Sequence, residues 1–378
     1  MPLFTPCRLI ARLLSLLLLA GCTALPDDEA GRVLGDLAAG MRPSRLKEQT
    51  PEPVRQSVAY AVQGRRYQGD LYVPGQPPLA GVVLVPGVAA GGKDDARLVA
   101  FATTLARVRF LVLVPDLPNL RALRVSAEDA QGVADAFSRL LSRPELPAGS
   151  RAGISAFSYA VGPAVLAALD PAIRDDVDFV LGVGGYYDLK KVVRFFTTGY
   201  FQHEGKWRYQ QPNSYGKWVF VLGNADRLSE SRDQTAMRAI ARRRLDDPEA
   251  AVDDLRAGLT TEGRALLALL ENSDKKRTPM LIDALPAAIR AHMDALNVAN
   301  KNLSRLRAKL ILLHGTDDPI IPFSESVALA RAVAPEQAEL FLIDGLAHVD
   351  VQPFGLDRKT SWRAINSLLT QRGVAGDR

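Results

Sequence analysis

One serine stands where a predicted strand runs into a predicted helix. The run Gly153-Ile-Ser-Ala156 is predicted as a buried strand, and a helix with several small residues follows Ser158. Ala156 and Ala160 lie two positions before and after Ser158, where only small residues fit a sharp turn that projects the serine hydroxyl from the sheet edge. The pattern predicts a nucleophile, although an ordinary buried serine satisfies it too. Ser155 lies within the strand and is not a candidate.

A serine nucleophile needs a base that accepts its proton. His348 follows the last predicted strand, in Ile343-Asp-Gly-Leu-Ala-His348, where an imidazole can reach over the sheet edge. His348 is therefore the candidate base, and His314, at the end of a strand, is interpreted as structural. The chain has four histidines in all, and the remaining two lie in a predicted insertion: His203 and His292.

The base needs an acid that orients it. Asp318 lies in the turn His314-Gly-Thr-Asp-Asp-Pro-Ile-Ile-Pro322 and is the first candidate, with Asp317 pointing away or supporting the turn. Asp188 follows the preceding strand and could also reach the base, so it stays open as a rival. Asp226 is a weaker rival because the residues around it repeat at helical spacing.

Attack by Ser158 would create an oxyanion that backbone amides must hold. The loop over residues 85–92 follows a buried strand, and its glycines allow close approach of the backbone. The amides of Val88 and Tyr159 are the natural pair for this role. A plain turn between a strand and a helix is the alternative interpretation of the loop.

The elements that must position these residues alternate along the chain. Strands are predicted over residues 57–62, 66–73, 81–85, 110–114, 151–156, 177–183, 309–314 and 339–343. Several of these runs are apolar throughout, which is typical of strands buried on both faces. Between most of these strands, apolar residues recur at the spacing of a helix. The alternation predicts an α/β fold with a mostly parallel sheet flanked by helices.

Residues 190–305 interrupt the alternation and are mostly helical in pattern, so we predict a helical cap inserted into a core of residues 54–189 and 306–378. Residues 186–220 hold 11 of the 25 aromatic residues. They would form an apolar lid or acyl pocket, with Tyr186 and Tyr187 binding substrate. The alternatives are the cap's own core or a lip that faces a membrane.

Taken together, these motifs resemble those of the α/β-hydrolase family, and the turn from His314 to Pro322 is the most specific of them. The match covers roughly residues 55–190 and 305–370, in the family's order of oxyanion turn, serine, acid and histidine. The resemblance implies the α/β-hydrolase fold and hydrolysis through an acyl-enzyme by an esterase-like or lipase-like enzyme. Alanines replace both glycines usual around the serine, and Pro86-Gly87 replaces a His-Gly pair common in the oxyanion turn.

The N-terminus predicts an export signal. Two arginines precede an apolar run over residues 13–20 that is too short to span a bilayer. The run ends in Leu-Ala-Gly-Cys22, which resembles the bacterial lipoprotein signal. By that resemblance residues 1–21 are removed and Cys22 carries lipid, which holds the protein on a membrane. An uncleaved anchor is the alternative.

By the same resemblance, Thr23 after the cysteine favours the outer membrane, with the protein facing the periplasm. Residues 22–53 are rich in proline and charge, and we predict a tether with at most one short helix.

Composition excludes several classes of protein. The 47 basic and 42 acidic residues form a mixed surface, and no nucleic-acid-binding motif accompanies the net charge of +5. Both cysteines, Cys7 and Cys22, lie in the N-terminal segment. The body therefore has no disulfide framework, cysteine-ligated zinc or cysteine nucleophile. The histidines are too few and scattered for a metal cluster, and no cofactor is implied.

The sequence thus predicts a membrane-tethered serine hydrolase for carboxylic esters, acting on a small-molecule or lipid-like substrate. Two alternatives stay open: an amide or peptide hydrolase with the same residues, and a non-catalytic binding factor of the cell envelope on a hydrolase scaffold. The oligomeric state and the natural substrate do not follow from the sequence.

Overall fold

The computed structural model describes residues 27–348 and 357–373, so the predicted signal peptide and Cys22 lie outside the described residues. The strands are β1 (Val54–Val62), β2 (Arg65–Val73), β3 (Ala80–Val85), β4 (Phe110–Pro115), β5 (Arg151–Phe157), β6 (Phe179–Val183), β7 (Tyr200–His203), β8 (Lys206–Tyr209), β9 (Lys309–Gly315) and β10 (Ala338–Ile343).

The α-helices are α1 (Glu29–Ala39), α2 (Arg45–Gln49), α3 (Ala96–Arg107), α4 (Pro118–Arg121), α5 (Glu128–Leu141), α6 (Val161–Ala168), α7 (Leu189–Thr198), α8 (Tyr215–Asn224), α9 (Ser231–Asp246), α10 (Asp253–Arg256), α11 (Thr261–Leu270), α12 (Thr278–Asp283), α13 (Ala287–Leu296), α14 (Ser324–Arg331) and α15 (Arg358–Leu369). None of the helices in the described part of the chain is long and apolar enough to cross a membrane.

Eight strands form one sheet in the order β1-β2-β4-β3-β5-β6-β9-β10. The β1–β2 and β2–β4 pairs are antiparallel, and the other five pairs are parallel. The predicted α/β fold class is confirmed. Parallel strands end at a common edge, so the loops after β3, β5 and β9 meet there.

Two cores cover the two faces of the sheet because successive strand residues point in opposite directions. Val83 and Leu113 pack with α5 and α6 on one face. Val82 and Val112 pack with α1, α3 and α15 on the other. The unbroken apolar runs predicted as buried strands are therefore covered on both sides.

The prediction of a tether over residues 22–53 is wrong from Asp27 onward. The helices α1 and α2 are packed on the body, where Val33, Leu34 and Leu46 are buried in the core beneath α3 and α15. Asp28 caps α1 and accepts a hydrogen bond from the Trp362 indole. The segment resembles a tether in sequence because its prolines and charges surround a short amphipathic pattern. The apolar side of that pattern finds its packing partner only in the folded protein.

The chain leaves the sheet after β6 and returns at β9. Between them it forms α7 to α13, as the helical pattern predicts, and also the hairpin of β7 and β8, which we did not predict. The hairpin strands are four residues each, and only β8 alternates polar with aromatic residues, a pattern too short to distinguish from a loop in the sequence alone.

Candidate functional site

Ser158 lies at a sharp turn between a strand and a helix. Strand β5 ends at Phe157, one short turn of 3-10 helix follows, and α6 begins at Val161. Ser158 has a φ of +55°, a backbone conformation that L residues rarely adopt. Ala156 and Ala160 on either side of it are fully buried, so larger residues would collide with their neighbours. Such strained positions are typical of functional sites.

Tyr186 packs behind this turn and does not line the cavity at Ser158. A Cβ at Gly162 would lie 2.0 Å from the Tyr186 hydroxyl oxygen, so only glycine fits there. Tyr186 is 1% exposed and donates to the Leu296 carbonyl at 3.0 Å. Tyr187 is half-buried against the same core. The prediction that Tyr186 and Tyr187 bind substrate is wrong, because the start of the cap packs on α6.

The structure brings Ser158, His348 and Asp318 together in one hydrogen-bonded chain. His348 Nδ1 lies 2.7 Å from Asp318 Oδ2, and His348 Nε2 lies 2.8 Å from Ser158 Oγ. An ionised carboxylate only accepts, so Nδ1 carries the proton. Nε2 is then left as the acceptor of the Ser158 hydroxyl proton, which is the arrangement that a general base requires.

Asp318 is held by four donors on both of its oxygens. Oδ1 accepts from the amides of Ile320 and Ile321 at 2.8 and 3.0 Å, and Oδ2 is within 3.2 Å of His314 Nε2 as well as near His348. Burial would raise the pKa of Asp318, but the neighbouring His348 and the hydrogen bonds from both imidazoles outweigh it and hold the pKa well below its usual range. Asp318 is therefore ionised wherever His348 can act as a base.

His314, which we interpreted as structural, supports the acid directly. Its Nδ1 accepts from Ser326 at 2.7 Å, which leaves Nε2–H to donate to the Ile321 carbonyl and toward Asp318. Next to it, a Cβ at Gly315 would lie 1.8 Å from the Leu346 carbonyl oxygen. Glycine at this position lets the loop that carries His348 pass close enough to reach Asp318.

Neither rival acid reaches the site. Asp188 caps α7 and accepts from the Lys190 amide at 3.1 Å. Asp226 lies on the surface in ion pairs with Arg124 and Arg238, in a turn after α8. The choice between Asp318 and Asp188 could not be made from the sequence because both follow strands of the same parallel sheet.

The backbone near Asp188 is instead bound by another acid, Glu325 on α14. Glu325 is 1% exposed, and its Oε2 accepts from the amides of Tyr187 and Asp188 at 3.2 and 2.7 Å, where the chain leaves the sheet for the cap. Burial raises the pKa of Glu325 to about 7, and the charge of Asp188 adds to this, against the hydrogen bonds and Lys191.

We expect this carboxyl to make the stability depend on pH. A pKa raised from 4.5 to about 7 means that the folded protein binds the proton more tightly, so the stabilisation is complete below pH 4.5 and is lost as the pH rises to 7. Glu325→Gln should remove this loss and raise the free energy of unfolding above pH 7 by about 3 kcal/mol. Urea denaturation at several pH values measures it, with the exposed Glu336→Gln as control. An equal difference at every pH would contradict the assignment.

The loop predicted to hold the oxyanion lies beside Ser158. A Cβ at Gly87 would lie 3.7 Å from that of Phe157, so the loop passes next to the residue before the nucleophile. Val88 lines the same cavity as Ser158. Further along, Lys93 donates to the fully buried Asp70 at 3.0 Å, which fastens the end of the loop to β2. The amides of Val88 and Tyr159 are thus on the two segments that flank the serine hydroxyl.

Tyr215, at the start of α8 in the cap, holds this loop from the other side. Its hydroxyl donates to the Val88 carbonyl at 2.6 Å. Burial raises the pKa of Tyr215 to about 12, so the hydroxyl keeps its proton at working pH. Near it, Gln210 donates to the Asp317 carbonyl and the Asn213 amide to the Pro319 carbonyl, both at 2.7 Å. One cap segment therefore connects the oxyanion loop to the loop of the acid.

Tyr215→Phe should lower kcat about fivefold, because a lost hydrogen bond of about 1 kcal/mol loosens the position of Val88. The melting temperature should change little, since the ring remains in place. Kinetics with a soluble ester measure the change. Tyr209→Phe is the matched control, because among the described residues the Tyr209 hydroxyl bonds only the exposed Gln211. An unchanged kcat would show that Tyr215 does not position the loop.

Ser158 and His348 open into a cavity of about 410 Å³. Apolar side chains from α3, β5 and the acid loop form much of its wall: Leu98, Phe101, Phe157 and Ile320. Of the 11 aromatic residues at 186–220, all within the described part of the chain, Tyr215 alone lines this cavity. Others, such as Phe195, Phe196 and Phe220, are buried in the packing of the cap. Packing of the cap, one of the alternatives above, accounts for five of them: Phe195, Phe196, Phe201, Trp218 and Phe220.

Solved structures with the same fold were found by comparison. A candidate hydrolase from Legionella pneumophila is 13% identical, with a TM-score of 0.54 over 86% of this chain and 93% of that one. The 2,6-dihydroxy-pseudo-oxynicotine hydrolase is 12% identical, with a TM-score of 0.51 over 84% of this chain and 68% of that one. No protein-family model matches the sequence, and no curated protein matches it.

The chain has the α/β-hydrolase fold, as the motifs predicted. Within it, the predicted serine, acid and histidine meet at the edge where the parallel strands end. The sequence reasoning missed the roles of Tyr215 and Glu325 and the support from His314. Only the support from His314 could have been found from the local sequence, because His314 lies within the same turn as the acid.

Proposed function

We propose that this protein is a serine hydrolase that cleaves carboxylic esters through an acyl-enzyme. The observation that carries the proposal is the chain of hydrogen bonds from Asp318 through His348 to Ser158, at the wall of a largely apolar cavity. This arrangement is that of an activated serine nucleophile. It favours catalysis over a purely binding role, for which an oriented base would have no use.

The reaction follows from the protonation states. Ser158 Oγ attacks the ester carbonyl carbon while its proton passes to His348 Nε2, and ionised Asp318 stabilises the resulting imidazolium. The amides of Val88 and Tyr159 hold the oxyanion. His348 then gives the proton to the leaving alkoxide, and the acyl group stays on Ser158. Water then attacks the acyl carbon while its proton passes to His348. The bond from that carbon to Ser158 Oγ breaks, His348 returns the proton to Oγ, and the acid leaves.

The cavity supports an ester with an apolar acyl or aromatic portion. Leu98, Phe101 and Phe157 offer contacts to hydrocarbon, and ligand sites of this kind are chiefly apolar with a few polar groups that orient the ligand. A peptide would need several partners for its own amide groups. We therefore place peptide hydrolysis second.

A fluorophosphonate probe and a matched substrate panel test the proposal. The probe should label the protein on Ser158, and p-nitrophenyl esters should be turned over faster than the p-nitroanilides of the same acids. Preference for the anilides or for short peptides would make the protein an amide hydrolase. No adduct and no turnover by folded protein would leave the binding-factor alternative.

We also propose that Cys22 anchors the enzyme by lipid to the bacterial outer membrane, on its periplasmic face. Cells grown with a palmitate analogue should label the protein, and Cys22→Ser should remove the label and release the protein from the membrane fraction. Cys7→Ser is the matched control and should keep both. Labelling that persists without Cys22 would exclude a lipid on this residue.

A further inference from the structure

The hairpin of β7 and β8 presents aromatic and basic side chains to solvent. All four residues of β8 are exposed: Lys206, Trp207, Arg208 and Tyr209. Trp207 is 43% exposed and Tyr209 57%. Among the described residues, these are two of only five large apolar side chains that are exposed. Two such rings side by side differ from the scattered exposed residues of an ordinary surface.

Two cations, one from α7 and one from the turn between α11 and α12, lie over aromatic rings of the hairpin. The Lys275 ammonium is 3.7 Å from the centre of the Tyr200 ring and 5.0 Å from that of Trp207, and the Arg194 guanidinium is 4.8 Å from Trp207. Tyr200 in turn packs edge-on against Tyr209. The rings are therefore held in place while still exposed, and positive charge surrounds them.

We propose that this hairpin surface, formed by Trp207 and Tyr209 with Lys275 beside them, docks on an anionic phospholipid bilayer. The exposed Lys206 and Arg208 alternate to the other side of β8 and add positive charge around it. Tryptophan and tyrosine favour the boundary between lipid and water, and basic residues are attracted to acidic headgroups. The neighbouring charges leave the surface positive. The turn of the hairpin adds the acid Glu204, and the segment after α11 adds the acid Asp274 together with the bases Lys276 and Arg277. This positive charge thus complements an anionic lipid surface better than a protein partner with few acidic residues.

The hairpin lies close to the catalytic cavity along the chain. Asn213 and Tyr215 line the cavity, and only three residues lie between Tyr209 and Asn213, so their Cα atoms are at most about 14 Å apart. Docking would bring the cavity to a lipid surface, which suits a lipid-like ester. That last point rests on the proposed function, whereas the docking itself does not.

Vesicle binding tests the proposal with protein that lacks residues 1–21 and carries Cys22→Ser, so that no lipid is attached. It should sediment with vesicles of phosphatidylcholine and phosphatidylglycerol, less with phosphatidylcholine alone, and less at high salt. Lys206→Gln and Arg208→Gln should each weaken binding about fivefold. Replacing Trp207 and Tyr209 by alanine should abolish it. Met41→Ala, at a side chain 90% exposed elsewhere, should have no effect.

Fluorescence gives a second measurement that does not depend on how well the alanine variant folds. Brominated lipids should quench Trp207, and Trp207→Phe should remove the quenched component, because Trp218 is buried and the third tryptophan, Trp362, is half-buried with its indole N–H bonded to Asp28. Ser158→Ala should bind vesicles normally, so loss of catalysis and loss of docking are distinguishable. The proposal is overturned if neither vesicle binds, if the hairpin variants bind normally, or if a photo-crosslinker at residue 207 captures protein and no lipid in cells.

Discussion

Ser158→Ala should lower kcat/KM for a short p-nitrophenyl ester about a million-fold, the size of effect that loss of the nucleophile has in a serine protease. The reason is that the covalent route disappears while the oxyanion loop and the cavity remain. The fold should survive, because the Ser158 hydroxyl bonds only His348 among the described residues. The alanine is also smaller than the serine in the same strained turn.

Steady-state kinetics beside the melting temperature measure this effect. Ser155→Ala is the matched control, since Ser155 is a buried serine of β5, the strand that leads into Ser158, and lies three residues before it. It should keep nearly full activity. Activity retained by Ser158→Ala in a preparation free of other esterases would exclude Ser158 as the nucleophile and leave the proposed mechanism without its central step.

The second large effect is expected for Asp318→Asn, about ten-thousand-fold in kcat. The amide oxygen can still accept from Ile320 and Ile321, so the turn should keep its shape. The amide nitrogen would then face His348, and an N–H group cannot accept from Nδ1–H. The imidazole would adopt the other tautomer, with its proton on Nε2, and could no longer take the proton of Ser158.

Asp317→Asn is the control for Asp318→Asn because it changes an adjacent, exposed carboxylate of the same turn. It should leave kcat nearly unchanged. Labelling by the fluorophosphonate should slow in Asp318→Asn, since the serine is less activated. Near-normal kcat in Asp318→Asn would mean that another acid orients His348, which contradicts the hydrogen bond at 2.7 Å.

Local patterns were enough to predict Ser158 and His348 as candidates and to make Asp318 the first candidate acid, with Asp188 left open as a rival. Backbone geometry within a few residues requires small residues two positions before and after Ser158. It also requires a glycine in the turn before Asp318 and a loop that places His348 after a strand. The same holds for the buried strands, because a run of apolar residues must be covered on both faces. Such demands act along the chain and so remain visible in the sequence.

Only the tertiary structure decided what each apolar or charged side chain meets. Val33 and Leu34 bury against α15, far along the chain, so the segment is part of the body and not a tether. Tyr186 packs behind the serine, whereas Tyr215 holds the oxyanion loop. Periodicity shows that one side of an element is buried, but the partner is chosen by packing between distant segments, and no local pattern records that choice.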